Sequence, residues 1–172
     1  MFQIVFFLAF VITPVFANDG LSSLFTPYGE MQTALAADDL AAAKQSAGQL
    51  QAAISAMDEG HLKNPVKKAW AHHKSQLEGA TAKAKEASDI ATVRTHFKNV
   101  STAMIALSDV AKPDGFRQFH CPMAFQNKGA NWLQKGTATS NPYFGSRMLR
   151  CGAPVKANVD HDGHDGHNHK HH

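Results

Sequence analysis

Sulfur and imidazole are the chemistry-bearing groups of this sequence. Cys121 and Cys151 are the only two cysteines, and each has a methionine close by: Met123 follows Cys121 by two positions, and Met148 precedes Cys151 by three. A spacing of three puts Met148 and Cys151 on one face if that stretch is helical. A spacing of two brings Cys121 and Met123 together in an extended or turn conformation. Trp132 and the run Asn141-Pro142-Tyr143-Phe144-Gly145 lie between, and such residues can fold the two segments back on each other. The product would be a site of two thiolates and two thioethers. Soft donors of this kind select Cu(I) above all, and Ag(I) shares the softness. Zinc rarely accepts thioether, and its structural sites use a closer cysteine pairing. His120, beside Cys121, and His96, upstream, are additional nitrogen donors. On spacing alone a competing reading stands ahead: two cysteines outside the cytoplasm form a disulfide, and the methionines fill core.

A second metal signal lies at the C-terminus. His161, His164, His167, His169, His171 and His172 recur every one to three residues among Asp, Gly, Asn and Lys. Neutral imidazole binds Cu(II), Ni(II) and Zn(II), and Asp162 and Asp165 can add oxygen. The segment has nothing to bury, so it is expected to be disordered without a ligand. A purification tag is the bland alternative, but the interruptions differ from an unbroken tag.

Four segments have the periodicity needed to position such sites. Leu24, Tyr28, Met31 and Leu35 form one stripe of a helix over about 21–36. Asp38 and Asp39 interrupt the pattern and can cap a second helix, 39–57, striped by Leu40, Ala43, Ala47, Leu50, Ile54 and Met57. Glu59-Gly60 is expected to end it. Asn64 and Pro65 read as cap and first residue of a third helix, 64–87, carrying Val66, Trp70, His73, Leu77, Ala80 and Ala84. Ser88 or Asp89 caps a fourth, ending near 111, with Ile90, Val93, Phe97, Val100, Met104 and Leu107 inward. Lys112-Pro113-Asp114-Gly115 is a strong stop. Short joins make neighbours antiparallel, so the expected fold class is all-α: an antiparallel four-helix bundle. Residues 116–154 lack periodicity and strand-like alternation. They are expected to form an irregular metal-binding segment with one or two short helices.

Residues 2–16 are almost wholly apolar and uncharged, and Val15-Phe16-Ala17 offers small residues where a signal peptidase reads. This predicts a secretory signal peptide over 1–17, although no Lys or Arg precedes the apolar run. An uncleaved N-terminal anchor is the alternative. The predicted organisation is therefore a leader at 1–17, a bundle domain with its Cys/Met segment at 21–154, and a histidine-rich tail at 155–172.

Composition narrows the function. A net charge of +3 without a basic, aromatic-interleaved stripe argues against nucleic-acid binding. No phosphate loop, nucleophile elbow or Ser-His-Asp order is present, and the sequence offers no catalytic group beside the sulfurs. His73 reads as a hydrogen-bonded core histidine, His72 as solvent-facing, and Met31, Met57 and Met104 as packing.

The strings HCPMAFQNKGANWLQ and NPYFGSRMLRCG, with TPYGEMQTALAADDLAAAKQSAGQL and RTHFKNVSTAMIAL upstream, resemble a domain-of-unknown-function family. That family occurs fused to, or encoded near, periplasmic adaptor subunits of copper and silver efflux pumps. The resemblance implies a helical bundle with a heavy-metal role, and Cys121, Met123, Met148 and Cys151 as copper ligands. This chain has no adaptor region and adds the histidine tail. Together these readings predict an exported, non-enzymatic copper-binding protein. Its expected partners are metal ions, and an efflux adaptor or copper chaperone. Two alternatives stand: a disulfide-stapled interaction module, and a nickel, zinc or cobalt handler acting through the tail.

Overall fold

The structure, a computed structural model, describes residues 20–155. The predicted leader at 1–17 and the tail histidines at 161–172 lie outside the described residues. Four long helices are present: α1 (Ser22–Ala36), α2 (Leu40–Ser55), α3 (Val66–Glu86) and α4 (Ile90–Ala111). Their predicted stripes form the core. Leu24, Tyr28, Met31 and Leu35 of α1 are fully buried, as are Val93, Phe97, Val100, Met104 and Leu107 of α4. Burial of such side chains contributes about 1.5–3 kcal/mol each for the larger ones. None of the described helices is long and apolar enough to cross a membrane.

The helix ends follow local chemistry. The Asp39 carboxylate accepts the Ala42 N–H at 2.9 Å, and the Asp89 carboxylate accepts that of Thr92 at 2.9 Å. Both satisfy donors that a helix start leaves open. Two expectations are corrected. Helix α2 ends at Ser55, and Glu59–His61 is a separate 3-10 turn whose Gly60 N–H is held by Asp58. Helix α3 begins at Val66, with Pro65 rather than Asn64 at the cap position.

Each helix packs on its chain neighbour, but α1 and α4 meet only sparsely. The gap between them is filled by a strand, which corrects the all-α expectation. Residues 116–154 build a three-stranded antiparallel sheet of β1 (Phe116–Cys121), β2 (Ala130–Lys135) and β3 (Ala153–Pro154), ordered β2-β1-β3. Strand β2 packs against both α1 and α4. The Tyr28 hydroxyl of α1 shares a 2.9 Å hydrogen bond with Ser101 of α4 and accepts the Leu133 N–H of β2 at 2.9 Å. One buried hydroxyl thus ties two helices to the sheet.

A second tie is ionic. Arg94 of α4 is buried, and its guanidinium donates to the Leu35 carbonyl (2.8 Å), the Asp38 carboxylate (2.6 Å) and the Pro142 carbonyl (2.8 Å). The other Asp38 oxygen accepts the Ser146 N–H at 2.8 Å. These hydrogen bonds, from Ser146 and Arg94, hold the Asp38 carboxyl far below the usual carboxylate range. A depressed folded-state pKa contributes stability above the unfolded value, and that stability is lost as pH falls. Hydrogen bonds to charged groups contribute about 1.5–3 kcal/mol, so Asp38→Asn is expected to cost about 2 kcal/mol at pH 7. The difference from wild type should shrink as the pH falls below about 4. Urea unfolding at several pH values measures it, and a pH-independent difference would contradict the assignment.

Candidate metal centre

Cys121 ends β1 and is fully buried. Residues along a strand alternate faces, so Phe119 and Cys121 lie on one face and His120 on the other. Phe119 stacks on its cross-strand partner Trp132, with ring centroids 5.6 Å apart. Cys121 pairs with Ala130 next along the ladder.

Cys151 reaches this strand from a loop. Its N–H donates to the Met148 carbonyl at 3.0 Å, closing a turn just after the 3-10 helix Gly145–Met148. Gly152 follows with φ +119°. A side chain there would meet the His120 carbonyl and the Trp132 ring at 2.8 Å each, so only glycine lets the loop close on the sheet. The result brings the two sulfurs together: Cys121 Sγ and Cys151 Sγ are 3.0 Å apart, as free thiols. Contact with the Cys121 sulfur, followed by desolvation, pushes the Cys151 thiol up to about 11. Cys151 therefore carries its proton at neutral pH.

The run 141–145 aims this loop. Asn141 is fully buried. Its side-chain oxygen accepts the N–H groups of Tyr143 (2.8 Å) and Phe144 (3.2 Å), and its amide donates to the Cys151 carbonyl at 2.6 Å. Its own N–H donates to the Leu149 carbonyl at 2.9 Å. The Tyr143 hydroxyl donates to the Asn131 carbonyl of β2. Gly145, at φ +60°, lies against Asp38 and Arg94 so closely that a Cβ would overlap both. The motif is thus a support for Cys151, and none of its members supplies a ligand. The sequence places this run as the turn that folds the two sulfur segments together and offers Asp38 as a cap; the hydrogen bonds by which they hold the loop are seen only in the structure. Arg94, next to Val93 of the α4 stripe, is the sequence signal that could have pointed to a carboxylate partner.

The remaining predicted ligands separate into two groups. Met148 is half-buried and one turn before Cys151. Met148 ends the 3-10 helix, and Cys151 lies beyond it on the turn that its N–H closes onto the Met148 carbonyl. Met123 is 47% exposed and opens the turn Ala124–Asn127. In that turn Phe125, Gln126 and Asn127 all take the left-handed conformation, which costs roughly 1–2 kcal/mol per residue. His120 points to the opposite face of β1 from Cys121. Its ring nitrogen is 2.6 Å from the Asn131 side-chain oxygen, and the ring packs over Gly129. The structure therefore does not bring His120 to the sulfur pair. His96 is half-buried on α4. Among the described residues, no three His, Cys, Asp or Glu side chains gather as a site for an ion. Any soft site here rests on the two thiols and methionine sulfur.

The packing assignments fare as follows. Met31 and Met104 are fully buried, and His72 is exposed. His73 is only partly buried, and its Nδ1 is enclosed without a hydrogen-bond partner, contrary to the expected bonded core histidine. Desolvation, followed by repulsion from His72, lowers its pKa.

Fold and site together define a helical bundle that carries a dithiol cap on a small sheet. The chain belongs to the family described as Protein of unknown function (DUF3347), which matches residues 24–114. That span covers α1 to α4 and ends before β1, so both cysteines lie beyond it. No curated protein and no solved structure matches the chain.

The support role of Gly145 is testable. Gly145→Ala combines a positive φ with overlap of the Asp38–Arg94 pair and is expected to lower stability by more than about 2 kcal/mol. Chemical denaturation measures this, and a change within about 0.5 kcal/mol of zero would contradict the packing described.

Proposed function

We propose that this protein binds copper as Cu(I) through Cys121 and Cys151, with Met148 as a thioether donor and Met123 as an exposed sulfur at the rim. The observation that carries the reading is the meeting of the two thiols, 3.0 Å apart, one turn beyond Met148. Two thiolates and a thioether form a soft donor set, and softness selects Cu(I) or Ag(I) over zinc. For scale, a zinc–thiolate bond is about 2.3 Å, so a tetrahedral ion holds two sulfurs about 3.8 Å apart. A comparable metal requires the pair to open by somewhat less than 1 Å. Cys151 lies on a turn and Cys121 on a paired strand, so the opening is assigned to Cys151.

The proposed role is binding rather than catalysis. The setting is the periplasm after export, and the purpose is resistance, buffering or delivery to a copper or silver efflux system. The tail histidines, His161, His164, His167, His169, His171 and His172, would collect Cu(II), Ni(II) or Zn(II). The sequence resemblance to proteins associated with efflux adaptors supports the setting, and the soft donor set supports the ion.

The same contact favours a second reading, in which the cysteines close as a disulfide and the bundle serves as an interaction module. Anaerobic Cu(I) titration of the reduced protein against a competing chelator separates them. Thiol ligands bind as thiolates and loading releases protons, so the apparent affinity should rise with pH near neutrality. Cys121→Ser should lower affinity by at least 100-fold. Wild-type affinity in that variant, or none in the reduced wild type, would overturn the copper reading. Deleting residues 161–172 should remove most Cu(II) or Ni(II) capacity and leave Cu(I) affinity unchanged.

A further inference from the structure

The two sulfurs differ in access and in what holds them. Cys121 is fully buried, lies in the hydrophobic core cluster, and sits on a strand paired to β2. Cys151 is only partly buried, on a turn that Asn141 and Thr139 hold and that leads into β3. A disulfide bond is about 2.05 Å long, so a pair at 3.0 Å closes by a shift of about 1 Å. That shift falls to the turn rather than to the strand.

We propose that Cys151 is a thiol–disulfide exchange site, at which a partner of the dithiol oxidoreductase class closes and opens the Cys121–Cys151 pair. In the opening direction, a partner thiolate attacks Cys151 Sγ and forms a mixed disulfide. The Cys121–Cys151 bond breaks, and Cys121 leaves with the electron pair and takes up a proton. The partner's second thiol then attacks the partner sulfur of the mixed disulfide. This releases Cys151 as a thiolate, which is protonated in turn. The partner ends as a disulfide and this protein as a dithiol, with two electrons transferred. Closure is the reverse, with an oxidised partner as the oxidant. Exchange rates depend on which sulfur a nucleophile can reach and on how readily the other leaves. Burial of Cys121 assigns attack to Cys151 and departure to Cys121.

The inference goes beyond the copper reading and is tested without metal. The full chain, oxidised and treated with chelator, is exposed briefly to reduced glutathione, quenched in acid, and mapped by peptide mass. Lys128 and Lys135 lie between the cysteines, so trypsin separates them. At least ten times more adduct is expected on the Cys151 peptide. An even distribution, an excess on Cys121, or failure of the pair to oxidise in a glutathione disulfide buffer would overturn the proposal. As a second measurement, Cys121→Ser should react with an aromatic disulfide reagent at least tenfold faster than Cys151→Ser when folded. In denaturant the two rates should match, and equal rates in the folded state would also overturn it. Failure of copper titration would leave these outcomes unchanged, so the two proposals fail separately.

Discussion

The Arg94 guanidinium is the charge around which the molecule is assembled. Its side chain is 7% exposed, and a buried cation without partners costs several kcal/mol. Three elements must therefore deliver acceptors to one point. The end of α1 supplies the Leu35 carbonyl, the α1–α2 corner supplies the Asp38 carboxylate, and the loop at 142 supplies the Pro142 carbonyl. Asp38 takes a positive φ of 60° to do so, a conformation that aspartate tolerates better than most residues. Its second oxygen then holds Ser146. The position of the loop follows from charge neutralisation, and the position of Cys151 follows from the loop.

That chain of dependence explains what the sequence revealed. The four helices were readable because each buries one stripe, and burial at steps of three and four leaves its period in the residue types. Leu24, Tyr28, Met31 and Leu35 are the clearest case. The sheet was not readable. Trp132, Leu133 and Gln134 are consecutive and all buried, so β2 is covered on both faces and shows no alternation. Gln134 in particular looks like a surface residue. It is buried because its side chain accepts from Trp132 Nε1 and the Ser140 N–H and donates to the Ala138 carbonyl. Polar groups satisfied inside a loop disguise a buried strand as an irregular segment.

The sulfur site was legible as a pair but not as a geometry. Types and spacing indicated that Cys121 and Cys151 could meet. They did not indicate that His120 would face away, because the strand that determines its direction was itself unread. Nor did they indicate how Asn141 and Gly145 hold the loop that the run folds back. Asn141 is recognisable only once its hydrogen bonds to Tyr143, Phe144 and Cys151 are seen together.

The family match ends at 114, yet the physical unit does not. Tyr28 stacks on Phe97 with centroids 5.4 Å apart, and its hydroxyl serves both Ser101 and the backbone of β2. Phe97 in turn meets Tyr143 at 5.9 Å, and Tyr143 meets Trp132 at the same distance. This aromatic path runs from α1 through α4 into the loop that carries Cys151. A bundle cut at its last helix would expose those rings and leave Arg94 without its Pro142 acceptor. The cap is therefore part of the core. Whatever alters the sulfur pair acts on a turn braced against the helices, while Cys121 stays fixed on its strand. The two thiols are thus held by different means, one on a turn braced against the helices and one on a paired strand.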